Sequence, residues 1–418
     1  MAGIKARSFK KGHRLMGLWL FILLLLSVEV FNLEAISGFF SPNACFGFSL
    51  GILFLLFTFF IRIPIWDIGK SMWPVIWLTL GTVLTYIPAF YYYGQDFSRS
   101  FLTNRHMFMI WMVPVLYAIR PTLREVRQAF YAFSVLFFFL SLVVTFVDPY
   151  LIPHSDAEPF VEEGDFVHIL PGIRLLVIAL ILALNECRKH FSVKNLLWAI
   201  FIFGVIFMVQ NRTALLTSFV VIFLAVRRTD SAKGRLIGTA FGILLVLVMV
   251  VYTATQWDFL IQRTIEELSD PEYNRNKAYM YMFSERDLTR YILGDGFISS
   301  YSNQLMTQLQ DRGIFFSDVG MIGFWNQYGV IPTAALLTFF IRGLAPKRGY
   351  VVNSLSIFFI IGIPSLSYFG MYATLVPLSF AFYLYFVMSE NPNYDVRPYV
   401  VRYDVHSEKR VFRTISSI

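Results

Sequence analysis

The residues equipped for chemistry are few, and they stand beside apolar runs. In "FGVIFMVQNRTALLTSFVVIFLAV" two long apolar stretches meet at Gln210-Asn211-Arg212-Thr213, so a permanently charged arginine fills a joint that any polar residue would turn. Arg212 opens the second stretch, and free N–H groups and the positive end of a helix dipole would add to its guanidinium in holding an anion. The alternative is an interfacial arginine that snorkels to water and helps close the turn. Arg174, in "HILPGIRLLVIAL", is expected about two turns inside an apolar run, a depth that costs several kcal/mol unless it faces a cavity or a partner. Arg105 and His106 open the core of another run, either as interfacial decoration or as part of the same basic pocket. Arg275 precedes "AYMYMF", with Arg263, Lys277, Arg286 and Arg290 nearby in sequence, although most such loop charges are simply solvated. Asp318, in "FFSDVGMIGFWNQYGVIP", is a carboxylate at the mouth of an apolar run. It could serve as a general base, or with Ser317 as a helix cap.

The elements that carry these residues follow from composition. Hydrophobic residues make up 57% of the 418 and charged residues only 15%, against about 25% charged in soluble domains. A soluble globule cannot hide that much apolar surface, so the chain is expected to be an all-α integral membrane protein. Spans are expected at 15–33, 44–63, 72–92, 101–119, 128–147, 168–186, 193–210, 212–227, 235–254, 317–342, 351–367 and 370–388, a bundle of about twelve. The basic opening "MAGIKARSFKKGHRL" resembles a signal peptide, but no small-residue cleavage site follows and the apolar run is long, so a retained first span is expected. Clusters such as Arg120/Arg124/Arg127, Arg188/Lys189/Lys194, Arg227/Arg228/Lys233/Arg235 and Arg342/Lys347/Arg348 alternate with acidic connections, above all 148–167. The positive-inside rule then sets both termini in the cytoplasm. The net charge of +8 reads as topology and lipid contact, with no nucleic-acid partner. Cys45 and Cys187 fall at opposite faces in this scheme, so no disulfide is expected.

The domains expected are a nine-span region at 1–254, a large extracytoplasmic helical loop at 255–316, a three-span region at 317–388 and a basic cytoplasmic tail at 389–418. In the loop, "SDPEYNRNKAYMYMF" offers Asp270 as N-cap with Pro271 at the first helical position. "SERDLTRYILGDG" offers a Ser284-to-Asp287 box closing on Gly294, and "SNQLMTQLQDRG" a third helix ending at Gly313. No Walker A loop, G-x-S-x-G elbow or metal-ligand spacing of the six histidines occurs. A nine-to-three division of spans also argues against an inverted-repeat transporter.

Three stretches, taken in order, are similar to the O-antigen polymerase and O-antigen ligase superfamily. "QNRTALLTSFVVIFLAV" resembles its arginine hairpin, "NRNKAYMYMFSERDLTRYILGDGF" its loop segment, and "SDVGMIGFWNQYGVIPTAALL" the stretch that leaves the loop. The match covers about residues 195–345. The ligase branch carries a histidine where this chain has Ser317-Asp318, which favours the polymerase branch.

The resemblance implies a metal-independent membrane glycosyltransferase without a cofactor. It would join undecaprenyl-diphosphate-linked oligosaccharide units into O-antigen, capsule or exopolysaccharide at the outer face of a bacterial cytoplasmic membrane. Its implied partners are that lipid-linked donor, the growing polysaccharide and the bilayer, with a chain-length regulator and a flippase as candidates. Arg212, Arg174, Arg275 and Arg105 would hold the diphosphate, because an arginine fork binds it bidentately and stays charged. Arg212 and Arg275 would also stabilise the leaving group, and Asp318 would deprotonate the acceptor hydroxyl. The alternatives are a ligase that moves glycan to lipid A core or protein, and a transporter of polysaccharide or lipid-linked oligosaccharide.

Overall fold

The structure, a computed structural model, describes residues 2–32, 39–60, 65–147, 172–209, 211–229, 273–283, 288–296, 319–345, 347–363 and 375–388, with scattered single residues between 236 and 314. Every regular element among them is helical. The centre of the bundle is α8 (Ile173–Lys189), whose residues from Leu175 to Ala183 are all buried. It is apolar all round because neighbours surround it. These are α7 (Leu123–Phe146), α9 (Val193–Met208), α10 (Arg212–Arg227) and α15 (Tyr350–Ile361). α1 (Ala2–Ser27) lies along α7, and α2 (Pro42–Phe60) along α1 and α6 (Met112–Ile119).

Among the described residues two stretches, Met72–Tyr93 and Leu123–Val144, are long and apolar enough to cross a membrane, and seven shorter helices are also apolar. Large apolar side chains point outward from these helices, among them Phe54, Phe59, Trp73, Phe139, Phe223 and Ile341. The C-terminal helices do not stand apart from the rest. α16 (Leu375–Met388) packs on α1, α6 and the turn at 105–111, and its Phe382 meets Phe130 edge-on at 5.3 Å.

Three of the expected spans carry a joint or a break. The span expected at 72–92 passes from α3 (Ile65–Leu84) to α4 (Tyr86–Tyr93) through a joint at Thr85, whose backbone stays helical at φ −69°, so Met72–Tyr93 remains one stretch. The one expected at 101–119 becomes α5 (Phe97–Asn104), a 3-10 turn (Arg105–Trp111) and α6. The one expected at 317–342 becomes α13 (Gly320–Tyr328) and α14 (Val330–Gly343), broken at Gly329 with φ 78°. Each joint or break lies just ahead of a proline, at Pro88, Pro114 and Pro332. A proline ring collides with the carbonyl of residue i−4 and donates no N–H, and those carbonyls belong to Leu84, Ile110 and Tyr328. Pro74 lies inside α3 without ending it, so a break also needs other partners for the freed backbone. At Gly329 two such partners are visible, since the loop described below donates to the Asn326 and Gln327 carbonyls, while the Thr333 hydroxyl adds a bond to the Gly329 carbonyl at 2.7 Å.

At one end of the bundle the C-termini of α8, α10 and α14 meet the N-terminus of α15. Arg188 donates to the Arg228 carbonyl (3.3 Å), Arg228 to Asn353 Oδ1 (2.5 Å) and Asn353 to the Gly343 carbonyl (2.5 Å). Guanidinium groups at helix C-termini complement the negative end of the helix dipole. Residues 148–167 and 389–418 lie outside the described residues.

Candidate functional site

Two helices of the large loop are described, α11 (Asn274–Phe283) and α12 (Leu288–Leu293). Asp270 does not cap α11, contrary to expectation. The helix starts at Asn274, and the Asp270 carbonyl instead accepts from the Tyr273 N–H (3.2 Å) and the Asn276 side chain (2.6 Å), which holds it in the turn ahead of the helix. Gly294 closes α12 as expected, with φ 80° and its N–H on the Arg290 carbonyl at 2.9 Å. Pro271, the Ser284–Asp287 box and Gly313 lie outside the described residues.

Gly294-Asp295-Gly296 forms a wedge driven into the break between α13 and α14. The Asp295 N–H donates to the Asn326 carbonyl (2.7 Å) and the Gly296 N–H to the Gln327 carbonyl (3.0 Å). These are carbonyls that a helix end leaves without an intrahelical partner. A Cβ at Gly294 would stand 2.6 Å from the Gln327 oxygen, and one at Gly296 would stand 2.7 Å from both the Thr85 oxygen and the Ala89 Cβ. The wedge therefore also presses on the joint between α3 and α4.

An ion pair locks the wedge. Arg290 Nε and Nη2 donate to Asp295 Oδ1 (2.7 Å) and Oδ2 (3.1 Å), and Nη2 also donates to the Tyr93 hydroxyl (2.6 Å). The guanidinium lies over the Tyr92 and Tyr93 rings at 5.2 and 5.7 Å. Burial pulls the Arg290 pKa down, but the Asp295 hydrogen bond and charge outweigh it, so the pKa is raised. Beside this pair Met282, Phe283, Arg290, Tyr291, Trp325 and Asn326 line a notch whose free volume, about 10 Å³, admits about one water or one hydroxyl. The Tyr291 and Trp325 rings meet beside it at 5.7 Å, tilted by 31°, and Asn326 Oδ1 is buried with no hydrogen-bond partner among the described residues. An unpaired buried acceptor beside two aromatic faces suits a hydroxylated ligand.

A second group of charged residues centres on the 3-10 turn. Arg105 opens the 3-10 turn, where Nη1 donates to the Leu102 carbonyl (2.6 Å) and Nε is buried without a partner among the described residues. Glu29, 9% exposed, lies within electrostatic reach of Arg105. Glu29, Val30 and Phe31 hold left-handed φ values of 54°, 52° and 62°, a strain of about 1–2 kcal/mol per residue. Gly172 packs near Val28, so the start of α8 stands beside this turn. Arg174 is in the first turn of α8 and half-buried, not two turns inside, because the helix begins at Ile173 after Gly172 at φ 103°. His106 is buried edge-on against Phe46 at 5.4 Å, a packing role. This charged group and the wedge are linked, since the Tyr328 hydroxyl donates to Asn104 Oδ1 at 2.7 Å.

Arg212 is the first residue of α10, capped by the Asn211 side chain on the Ala214 N–H (3.0 Å), and Arg275 is the second residue of α11. The side chains of both, and all of Asp318, lie outside the described residues. Sequence reasoning missed Glu29, Tyr92, Tyr93, Trp325 and Asn326, and gave Arg290 and Asp295 no shared role. The "YYYG" run, three tyrosines ending on a glycine, was the available signal for the tyrosines.

Fold and site define an all-helical bundle whose interrupted helices receive a folded loop. The chain matches no protein-family model, no curated protein and no solved structure.

Proposed function

We propose that the chain is a twelve-span glycosyltransferase of the bacterial cytoplasmic membrane, which polymerises undecaprenyl-diphosphate-linked oligosaccharide on the outer face. The observation that carries this reading is the dock between two of the stretches that resemble the O-antigen polymerase and ligase superfamily. The loop stretch reaches the stretch that leaves the loop through Gly294–Gly296 and Asn326–Gln327, with Arg290, Tyr291 and Trp325 beside the joint. Outward-facing phenylalanines and tryptophans on the helices support lipid as the surrounding solvent. The gathering of Arg188, Arg228 and Gly343 at one end supports alternation of the spans.

In this mechanism Arg212 and Arg275, with Arg105 and Arg174, hold the donor diphosphate and offset its charge as the glycosidic bond breaks. Asp318 takes the proton of the acceptor hydroxyl, whose oxygen bonds to the anomeric carbon of the donor sugar as that carbon's bond to the diphosphate breaks and undecaprenyl diphosphate leaves. The notch at Trp325 and Asn326 orients one hydroxyl of the glycan. The test is polymer made by cells carrying variants. Arg212→Ala should abolish polymer at normal protein level, and Arg212→Lys should be poor because a point charge cannot reproduce the fork. Full polymer from Arg212→Lys reduces the arginine to an interfacial anchor. Asp318→Asn should lower the rate about 10²–10⁴-fold if the carboxylate is the base, whereas a cap tolerates the change because Asn caps as well as Asp.

A further inference from the structure

A second, wider groove shares no lining residue with the wedge. It lies where the N-termini of α7 and α9 meet the C-terminus of α8, and its volume is about 1090 Å³. Arg124, Arg127, Lys189 and Lys194 line its mouth, with His190 and a single carboxylate, Glu186. That carboxylate is already taken by an ion pair with Arg127. Arg124 and Lys194 are exposed, and each is the second residue of its helix. A cation there opposes the helix dipole, so neither residue is explained by helix stability. Two helix N-termini aimed at one mouth instead add their positive ends to the cations.

Below the mouth the wall turns apolar. Ala132, Val135, Leu136 and Phe139 form one stripe down α7 at helical spacing, and Leu136 and Phe139 are exposed, at 36% and 58%. The stripe runs for about 10 Å at the α-helical rise. Tyr131 and Trp198, stacked at 4.4 Å and 20°, stand between the charged mouth and the apolar stripe, which is where aromatic residues sit in a bilayer.

We infer that this groove binds a phospholipid with an anionic headgroup from the cytoplasmic leaflet. Its phosphate lies among Arg124, Lys189 and Lys194, and one acyl chain lies along Ala132, Val135, Leu136 and Phe139. The charge at the mouth rejects zwitterionic lipid by comparison, and the apolar stripe distinguishes a lipid from free phosphate. The inference rests on the membrane-spanning part of the proposed function and is independent of the transferase chemistry.

The test is native mass spectrometry of the full chain in mild detergent, after incubation with phosphatidylglycerol, phosphatidylcholine or inorganic phosphate. Each Lys or Arg near an anionic lipid surface is worth about a fivefold change in binding. The expected result is retention of phosphatidylglycerol over phosphatidylcholine by about tenfold or more. The double variant Arg124→Glu, Lys194→Glu should abolish that preference. Ala132→Trp, placed on an exposed wall so that the core is untouched, should reduce retention with the charge unchanged. Equal retention of the two lipids, indifference to both variants, or displacement of the lipid by millimolar phosphate would each overturn the inference. Arg212→Ala should leave retention intact, which separates failure of this site from failure of the transferase reading. Release of the protein by carbonate washing, without detergent, would overturn both.

Discussion

Gly296 carries two constraints at once, a φ of 78° and a Cβ position only 2.7 Å from the Thr85 oxygen and the Ala89 Cβ. Gly94 carries only the first, since φ is 63° and nothing lies within 4 Å of its Cβ position. The pair separates strain from collision. Gly94→Ala should lose about 1–2 kcal/mol, the left-handed penalty alone. Gly296→Ala should lose clearly more and release the wedge, read as a larger drop in detergent melting temperature together with new protease cleavage near residue 290. Equal losses at the two sites would mean that the wedge has room to shift. Arg290 offers a second residue-scale test. Its removal takes the guanidinium from the Asp295 side chain, which is 4% exposed, and breaking a buried ion pair from one side typically costs about 3–5 kcal/mol. Arg290→Ala should therefore destabilise far more than truncating a solvated loop arginine such as Arg312, which is exposed.

Among the elements, the interrupted helices decide the architecture. α13 and α14 are one apolar run in sequence but two helices in space, and so are α5 and α6 with the turn between them. Their breaks are joined by the Tyr328–Asn104 hydrogen bond, with Tyr328 and Asn104 both buried. Tyr328→Phe leaves the Asn104 oxygen without that donor, a loss of about 1–3 kcal/mol for a buried group. Asn104→Leu with Tyr328→Phe should cost less than the sum of the two single changes. A double-mutant cycle in thermal unfolding gives the coupling energy, and strict additivity would show that the bond does not hold the breaks together.

For the whole molecule the decisive measurement is topology. Tags at positions 155 and 285 should be accessible from outside, and tags at 192 and 230 only from the cytoplasm. Labelling of 285 from the cytoplasmic side would sink the orientation, the outer-face chemistry and the cytoplasmic lipid groove together. The groove and the wedge make opposite demands on sidedness, so one labelling experiment constrains both.

By itself the sequence determined the helical class, because its long apolar runs lack the strict alternation and frequent turn residues of strands. It also determined the joint at Asn211–Arg212 and the stop at Gly294, since caps and glycine stops are local devices written within a few residues. The three prolines were legible as breaks but were passed over because hydropathy averages across them. The tertiary structure alone decided that Arg290 pairs with Asp295 under Tyr93, that Glu29 stands near Arg105, and that cations from three helix ends line one groove. Hydropathy and capping act along the chain, whereas an ion pair or a wedge depends on which broken helix lies opposite. That choice is made by packing between segments hundreds of residues apart, such as Tyr93 with Arg290 and Asn104 with Tyr328.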